Sequence, residues 1–332
     1  MISVLIPALN EEPFIATTIL SLLQQTDLDE PVEIIVLDGG STDETVREAE
    51  AALGDNDNGK VVCNPGRTVS EASRIGLAIS SGDKIVIAGA HAEYPQNFLS
   101  VLANELNDPT VGAAGGTLTS LPGRKDSIVS IAIADTMNSH LGVGFSHRAG
   151  TLSERKDVET VAFPMYRRRL FEELGTYNGD FVRAQDLDFH LRIVSAGWRI
   201  VQVPQVRVGY YVRPTFSSEG RMAYNYGFWK PLINRYHQRL SNIRQLFPPF
   251  LVLSIIIAII GAVFNVFPTI VLVWPICYMT LLAVGSLSVV LRTRRWRLLP
   301  LYLVSFFLLH FGYGIGYLAG FVRAVLNPIR SV

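Results

Sequence analysis

The first third of the chain alternates short apolar runs with stretches of helical spacing. Ile2–Ile6 reads as a strand, Glu11–Gln24 places Ile15, Ile19, Leu22 and Leu23 on one helix face, and Glu33–Leu37 reads as a second strand ending at Asp38. Ser41-Thr42-Asp43-Glu44 has the form of a capping box, a Ser and a Glu three residues later satisfying the free amides of a helix through about Leu53. A third strand at Val61–Asn64, a helix at Val69–Ser81, a fourth strand at Lys84–Ala88 and a helix after Pro95 continue the pattern. Such alternation predicts an α/β fold with a mainly parallel sheet covered by helices on both faces.

The last third follows a different rule. Residues 248–291 carry no charge over 44 positions and residues 298–322 none over 25, whereas about 20 apolar residues suffice for a helix to cross a bilayer. Pro268, after Asn265, divides the first stretch, giving three candidate transmembrane segments at about 248–267, 269–291 and 298–322. A soluble protein is excluded. The cluster Arg292-Thr293-Arg294-Arg295-Trp296-Arg297 between the second and third segments is expected on the cytoplasmic side by the positive-inside rule, and the N-terminal domain with it. Three full crossings would leave Arg323 and Arg330 outside, which the same rule disfavours, so the alternatives to a third crossing are a re-entrant segment or one lying partly in the interface.

Charge sharpens the division. Residues 1–219 hold all 29 carboxylates and 18 of the 29 Lys and Arg, a net of −11; residues 220–332 hold the other 11 cations and no acid, a net of +11. Met1–Pro7 reads as a first strand, without a basic leader or cleavage site. Cys63 and Cys277 fall in the two different parts, so a reduced cytoplasmic domain is expected rather than a disulfide. The domain organisation expected is 1–210, an interfacial segment 211–247, and a membrane region 248–332.

Ligands of open α/β sheets collect at the carboxyl ends of the strands. After the first strand comes Pro7-Ala8-Leu9-Asn10-Glu11-Glu12, after the second Asp38-Gly39-Gly40-Ser41-Thr42-Asp43, and after the fourth Gly89-Ala90-His91-Ala92-Glu93-Tyr94-Pro95. Asp38 and Asp43 are binding candidates or turn and cap residues; Asn10 and Glu11 are ligand contacts or a helix N-cap and first-turn acid.

At these residues the sequence resembles glycosyltransferase family 2, the inverting GT-A enzymes with a Rossmann-like domain that take nucleotide-sugar donors. Ile6-Pro7-Ala8-Leu9-Asn10-Glu11-Glu12 is similar to the family's opening motif and Val36-Leu37-Asp38-Gly39-Gly40-Ser41-Thr42-Asp43-Glu44-Thr45 to its second. Within the family the sequence looks like membrane-anchored transferases of bacterial exopolysaccharide assembly, the succinoglycan type, with a likeness from residue 2 to about 230. The resemblance implies that Pro7, Ala8, Asn10 and Glu11 contact the nucleoside and that Asp38 binds at the uracil, a carboxylate accepting from a base N–H. It implies a divalent metal, Mn²⁺ or Mg²⁺, at the fourth strand end. There the sequence departs from the family: Gly89-Ala90-His91 stands where Asp-x-Asp is usual, leaving His91, and Glu93 beside it, as candidate ligands. Imidazole suits Mn²⁺ better than Mg²⁺; without a metal, His91 could donate to phosphate.

A third motif, Arg183-Ala184-Gln185-Asp186-Leu187-Asp188-Phe189-His190-Leu191-Arg192, is similar to the family's Glu-Asp segment, with Gln185 replacing the usual Glu. The resemblance makes Asp186 the general base that deprotonates an acceptor hydroxyl; the alternative is that Asp186 and Asp188 are helix N-terminal acids. Leu141-Gly142-Val143-Gly144 is a candidate lip over the cleft. Between Tyr210 and Gln245 aromatics and cations interleave, as in segments lying among lipid headgroups, and membrane lipid is expected as the partner here rather than nucleic acid. Tyr226-Gly227-Phe228-Trp229-Lys230 is similar to a segment that closes over donor and acceptor, so Arg213, Trp229 and Lys230 are nucleotide-sugar candidates that could compensate diphosphate charge. His310, among the glycines of the last segment, reads as a packing residue or a lipid-phosphate contact.

The expected activity is transfer of a sugar, with inversion, from a UDP-sugar to a lipid-linked saccharide at the inner (plasma) membrane. The alternatives are polyprenyl phosphate or another glycolipid as acceptor, or a nucleotide-sugar-binding scaffold that has lost catalysis.

Overall fold

A computed structural model describes residues 1–142, 154–240, 243–264 and 270–327; the Asn265–Pro268 break, Arg330 and half of the lip, Val143 and Gly144, lie outside them. The chain forms two compact units, one of Met1–Thr119 with Phe145–Tyr210, the other of Ser120–Gly144 with Tyr211–Val332.

The first unit opens with β1 (Ile2–Ala8), α1 (Ile15–Leu23), β2 (Val32–Asp38), α2 (Thr45–Leu53), β3 (Gly59–Cys63), α3 (Val69–Ile79), β4 (Lys84–Ile87), β5 (Ala92–Glu93), α4 (Phe98–Glu105) and β6 (Val111–Leu121). Helix α5 (Ile128–Met137) belongs to the second unit, after which β7 (Lys156–Asp157), β8 (Ala162–Arg167), α6 (Arg168–Leu174), α7 (Gln185–Ser195) and β9 (Arg199–Tyr211) complete the sheet. Its order is β3-β2-β1-β4-β8-β6-β9-β5, with β7 also on β9.

The sheet is mixed, which corrects the mainly parallel expectation. Strands β3, β2, β1 and β4 are parallel, with Ala8 opposite Asp38, but β8 runs antiparallel to β4 and β6, and β5 and β7 antiparallel to β9. Helices still separate the later strands, α5 after β6 and α6 and α7 after β8, but an antiparallel neighbour needs no crossover helix, so alternation alone does not fix strand direction. Successive side chains of a strand point to opposite faces, so Ile2, Val4, Ile6 and Ala8 pack with Ile15, Ile19 and Leu22 of α1, while Leu5, Ile35 and Leu37 pack with Ala72, Phe189 and Ile193 on the other face.

The expected capping box does not form. Helix α2 begins at Thr45 behind Glu44, which makes no side-chain cap, and the Ser41 hydroxyl instead donates to Asp38 Oδ1 at 2.6 Å. An ionised carboxylate is the stronger acceptor and captures the Ser. Asp43 takes over the helix start, its Oδ1 accepting from the Thr45 amide at 3.1 Å.

In the second unit, α8 (Phe216–Tyr236) is opened by a capping box of Thr215 and Ser218, and α9 (Phe247–Val263), α10 (Ile270–Thr293) and α11 (Leu299–Leu326) follow. Three helical stretches, Ile243–Val263, Pro275–Thr293 and Trp296–Leu326, are long and apolar enough to cross a membrane. Helices α8 and α11 meet along a glycine seam. A Cβ at Gly227, Gly316 or Gly320 would collide with the carbonyl oxygen of Tyr313, Tyr224 or Phe228 respectively, so only a missing side chain allows this approach. Two arginines of the cluster clamp α5: Arg292 donates to the carbonyl oxygens of Asn138 and Asp135 at 2.7 and 2.9 Å, and Arg295 to Asp135 Oδ2 at 2.7 Å. His310 is buried, Nε2 lying 3.0 Å from the Leu141 carbonyl oxygen and Nδ1 3.3 Å from the Tyr278 hydroxyl, which is a packing role.

Candidate active site

The first two strand-end loops are laced together. Asn10, in the left-handed region at φ 54°, accepts from the Thr42 amide at 2.8 Å, and its own amide donates to Ser41 Oγ at 2.9 Å. The Glu11 amide donates to Thr45 Oγ1 at 2.7 Å and the Gly39 amide to the Ala8 carbonyl oxygen at 2.8 Å. Asn10 is therefore not a cap of α1, whose N-cap is Phe14; it ties the loop after β1 to the loop after β2. Asp38 is buried and accepts from the Gly40 amide at 2.9 Å, the Ser41 amide at 3.1 Å and Ser41 Oγ. Pro7 is half-buried and Ala8 buried, opposite Leu37 and Asp38.

His91 joins this cluster from the turn between β4 and β5. Its Nδ1 lies 3.0 Å from Glu11 Oε1, and its Nε2 is buried with no hydrogen-bond partner. The ring is flanked by Tyr210 at 4.9 Å and Phe14 at 6.4 Å between centroids. The turn is pinned by Thr18 of α1, whose hydroxyl reaches the carbonyl oxygens of Ala90 and Ala92 at 2.9 and 2.8 Å.

Gly89 has a physical reason. A Cβ there would lie 2.7 Å from Phe163 Cε1, and the Gly89 amide donates to the buried Tyr94 hydroxyl at 2.7 Å. An aromatic ring occupies the space that a first acid would need. No group of three or more His, Cys, Asp or Glu able to hold a metal occurs among the described residues.

At the start of α7 the two aspartates separate in kind. Asp188 is fully buried, paired with Arg192 at 2.9 Å, and Arg192 also donates to the Thr176 carbonyl oxygen at 2.8 Å. Asp186, one turn position earlier and behind the left-handed Ala184, is exposed. Beneath them Thr160 Oγ1, His190, Tyr166 and Tyr177 form a buried hydrogen-bonded row: 2.8 Å from Thr160 to Nδ1, 2.8 Å from Nε2 to the Tyr166 hydroxyl, and 3.1 Å on to Tyr177. Burial, and then the charge of Asp186, push the Tyr177 hydroxyl well above its usual range.

Six of the expected residues, Pro7, Ala8, Asn10, Glu11, Asp38 and His91, thus stand on contiguous strand ends, and Asp186 stands in the same unit on α7. Arg213, Trp229 and Lys230 lie in the second unit, all half-buried; the Trp229 ring packs edge-on to Phe228 at 5.7 Å. Sequence reasoning missed Thr18, Phe163 and the Tyr166–His190 row, whose partners lie far apart in the chain.

A mixed α/β sheet with polar groups gathered at the carboxyl ends of its parallel strands, followed by apolar helices, defines a membrane-associated enzyme with a nucleotide-sugar type of fold. Residues 3–175 match the model of glycosyl transferase family 2, and residues 94–287 that of glycosyl transferase family group 2. The chain belongs to glycosyl transferase family 2 and is a glycosyltransferase. It is similar to the dolichyl N-acetyl-alpha-D-glucosaminyl phosphate 3-beta-D-2,3-diacetamido-2,3-dideoxy-beta-D-glucuronosyltransferase of Methanococcus voltae, 26% identical over 97% of each chain. Succinoglycan biosynthesis protein ExoA of Rhizobium meliloti is 26% identical, over 74% of this chain and 73% of that one. Among solved structures, the mannosyltransferase PcManGT of Pyrobaculum calidifontis, in complex with GDP-Man and Mn²⁺, aligns with a TM-score of 0.61 at 20% identity, over 92% of this chain and 85% of that one. That likeness gives the fold, GT-A.

Proposed function

We propose that the enzyme moves a sugar, with inversion, from a nucleotide diphosphate, UDP in the first instance, to a lipid-linked saccharide held at the cytoplasmic face of the inner membrane. Residues 1–210 carry the donor site, 211–247 the interfacial segment and 248–332 the anchor. The observation that carries this reading is the gathering of Asn10, Glu11, Asp38 and His91 on adjoining strand ends in a family 2 chain.

Asp38 first folds its own loop, and a carboxylate has about four acceptor sites, so capacity remains for a base N–H. Pro7, Ala8 and Asn10 shape the ledge on which the nucleoside lies. With Nδ1–H donated to Glu11, His91 presents the lone pair of Nε2, and a buried, unpartnered nitrogen of this kind fits a divalent metal, Mn²⁺ better than Mg²⁺. Such a metal, completed by diphosphate oxygens, would offset charge on the leaving group. Asp186, exposed at the start of α7, takes the proton of the acceptor hydroxyl as that oxygen attacks the anomeric carbon. Arg213, Trp229 and Lys230 are, by the family resemblance, the candidates for offsetting diphosphate charge and stacking on a sugar. The Methanococcus voltae relative, which acts on a dolichyl N-acetyl-alpha-D-glucosaminyl phosphate, supports a lipid-linked acceptor.

The test is transfer on membranes containing the full chain, offered single radiolabelled UDP- and GDP-sugars. Label entering the lipid extract with one UDP-sugar is expected, and its loss in Asp186→Asn. Tight UDP binding without turnover of any donor, with Asp186→Asn indistinguishable from wild type, overturns the catalytic assignment.

A further inference from the structure

Helix α11 satisfies the length and hydropathy of a membrane span, yet its neighbours are not those of a span. Between Tyr302 and Gly320 it meets polar side chains and backbone of α5, α8 and the residues after α5. The Tyr302 hydroxyl donates to Asp135 Oδ2 at 2.9 Å, the Ser305 hydroxyl to Glu219 Oε1 at 2.6 Å, and His310 meets the Leu141 carbonyl oxygen. Gly312, Gly316 and Gly320 then lie against the backbone of Gly220, Tyr224 and Phe228. Rising numbers on α8 meet rising numbers on α11, so the two helices run parallel.

At 1.5 Å per residue, Tyr302 to Gly320 covers about 27 Å, close to a whole hydrocarbon core. If α11 crossed, it would carry α8 through the bilayer beside it, with Glu219, Arg221, Lys230 and Arg235 at rising depth. Charged side chains inside a bilayer cost about 2.5–3.5 kcal/mol each even on the mildest scale. The opposite face of α11 is a continuous apolar stripe: Val304, Phe307, Ile315, Val322, Val325 and Leu326 are all exposed and fall within roughly a third of the helix circumference. Pro248, at the start of α9, approaches Gly314, and α10 meets α11 from Thr293, beside Tyr302, back to Tyr278, beside His310.

We propose that α11 does not cross: with α5 and α8 it forms a plate in the plane of the membrane boundary, its Val304–Leu326 stripe seated on the acyl chains, and only α9 and α10 span. Arg323 then stays on the side of the membrane that holds the end of α8, in keeping with the positive-inside rule. The inference needs no assumption about donor or acceptor.

Two measurements test it in the full chain, in a Cys63→Ser, Cys277→Ser background. Single cysteines at Phe307, Ile315 and Val322 carry a bimane probe, and lipids brominated at shallow or deep acyl positions quench it. Equal quenching at all three sites, strongest with the shallow bromines, is expected; a depth that changes steadily from 307 to 322 overturns the proposal, as does disulfide pairing between copies at these sites in place of quenching. Independently, an impermeant maleimide applied to sealed vesicles of either orientation should label Arg323→Cys from the same side as Gln238→Cys and from the side opposite Phe264→Cys. Labelling of position 323 with 264, or from neither side, overturns it. The three outer-face sites and the three reporter sites leave the seam intact, so misfolding of one variant does not remove the other readout.

Discussion

The two ends of the parallel strands are built on opposite rules. At the amino ends every strong donor finds a strong acceptor. Lys84 binds Glu30 at 2.6 Å, Ser3 Oγ and the Ser81 amide both donate to Glu33 Oε1 at 2.6 Å, and the Gly82 amide donates to Ser3 Oγ at 2.8 Å. Arg168 closes the same end on the carbonyl oxygens of Leu77 and Ser80 at 2.9 and 3.0 Å. At the carboxyl ends the bonding is incomplete by comparison: His91 Nε2 is buried without a partner, and Asn10 holds a left-handed backbone. Saturated charge makes an anchor, because a paired buried group has nothing left to offer. Residual valence, held in place by paired neighbours, makes a site.

The contrast can be broken by experiment. Asp186→Asn should lower transfer by about 10²–10⁴-fold, the scale of a lost general base, while nucleotide affinity measured by calorimetry stays unchanged; an equal loss of both would move Asp186 from chemistry to binding. His91→Ala should weaken Mn²⁺ binding, followed by electron paramagnetic resonance, and Glu11→Ala should do so by about 10–100-fold, as loss of an outer-shell partner does. If Glu11→Ala instead weakens metal-free UDP binding alone, Glu11 serves the nucleoside.

Gly89→Asp should destabilise the fold by about 1–3 kcal/mol, as overpacking does, read as a lowered midpoint in urea, and Phe163→Ala in the same chain should recover part of the loss. At the anchored end, Ser3→Ala should cost about 1 kcal/mol of stability with donor binding unaltered; a change in donor affinity would mean that the two ends communicate. The effect that depends on pH belongs to Glu219, pushed up to about 8 by burial. A carboxyl whose folded pKa is raised stabilises fully at low pH and loses that contribution as pH climbs from its unfolded value towards 8. Glu219→Gln should therefore leave the melting temperature near pH 5 almost unchanged and raise it relative to wild type near pH 8.

What the sequence disclosed about this molecule was local. Ile2–Ile6, Glu33–Leu37 and Lys84–Ala88 announced their strands by short, mainly apolar runs, and the polar groups following each were found on adjoining strand ends because parallel strands share a carboxyl edge. What it concealed was non-local or competitive. Ser41 had the spacing of a cap but lay nearer in space to an ionised Asp38. The antiparallel half of the sheet pairs strands distant in sequence, β8 with β4 and with β6. Phe163 is 74 residues from the glycine it covers. The last apolar segment reads as a span until α8, some 90 residues earlier, is seen against it.

The ring over Gly89 also constrains how this chain can change. An acid at position 89 is hindered while Phe163 stands, and shrinking Phe163 alone opens a hole beside Tyr94 and Tyr210, on which its ring leans. Each step towards a two-carboxylate motif is penalised unless the other has been taken, so the single-histidine arrangement is a mutational lock, opened only by a double move.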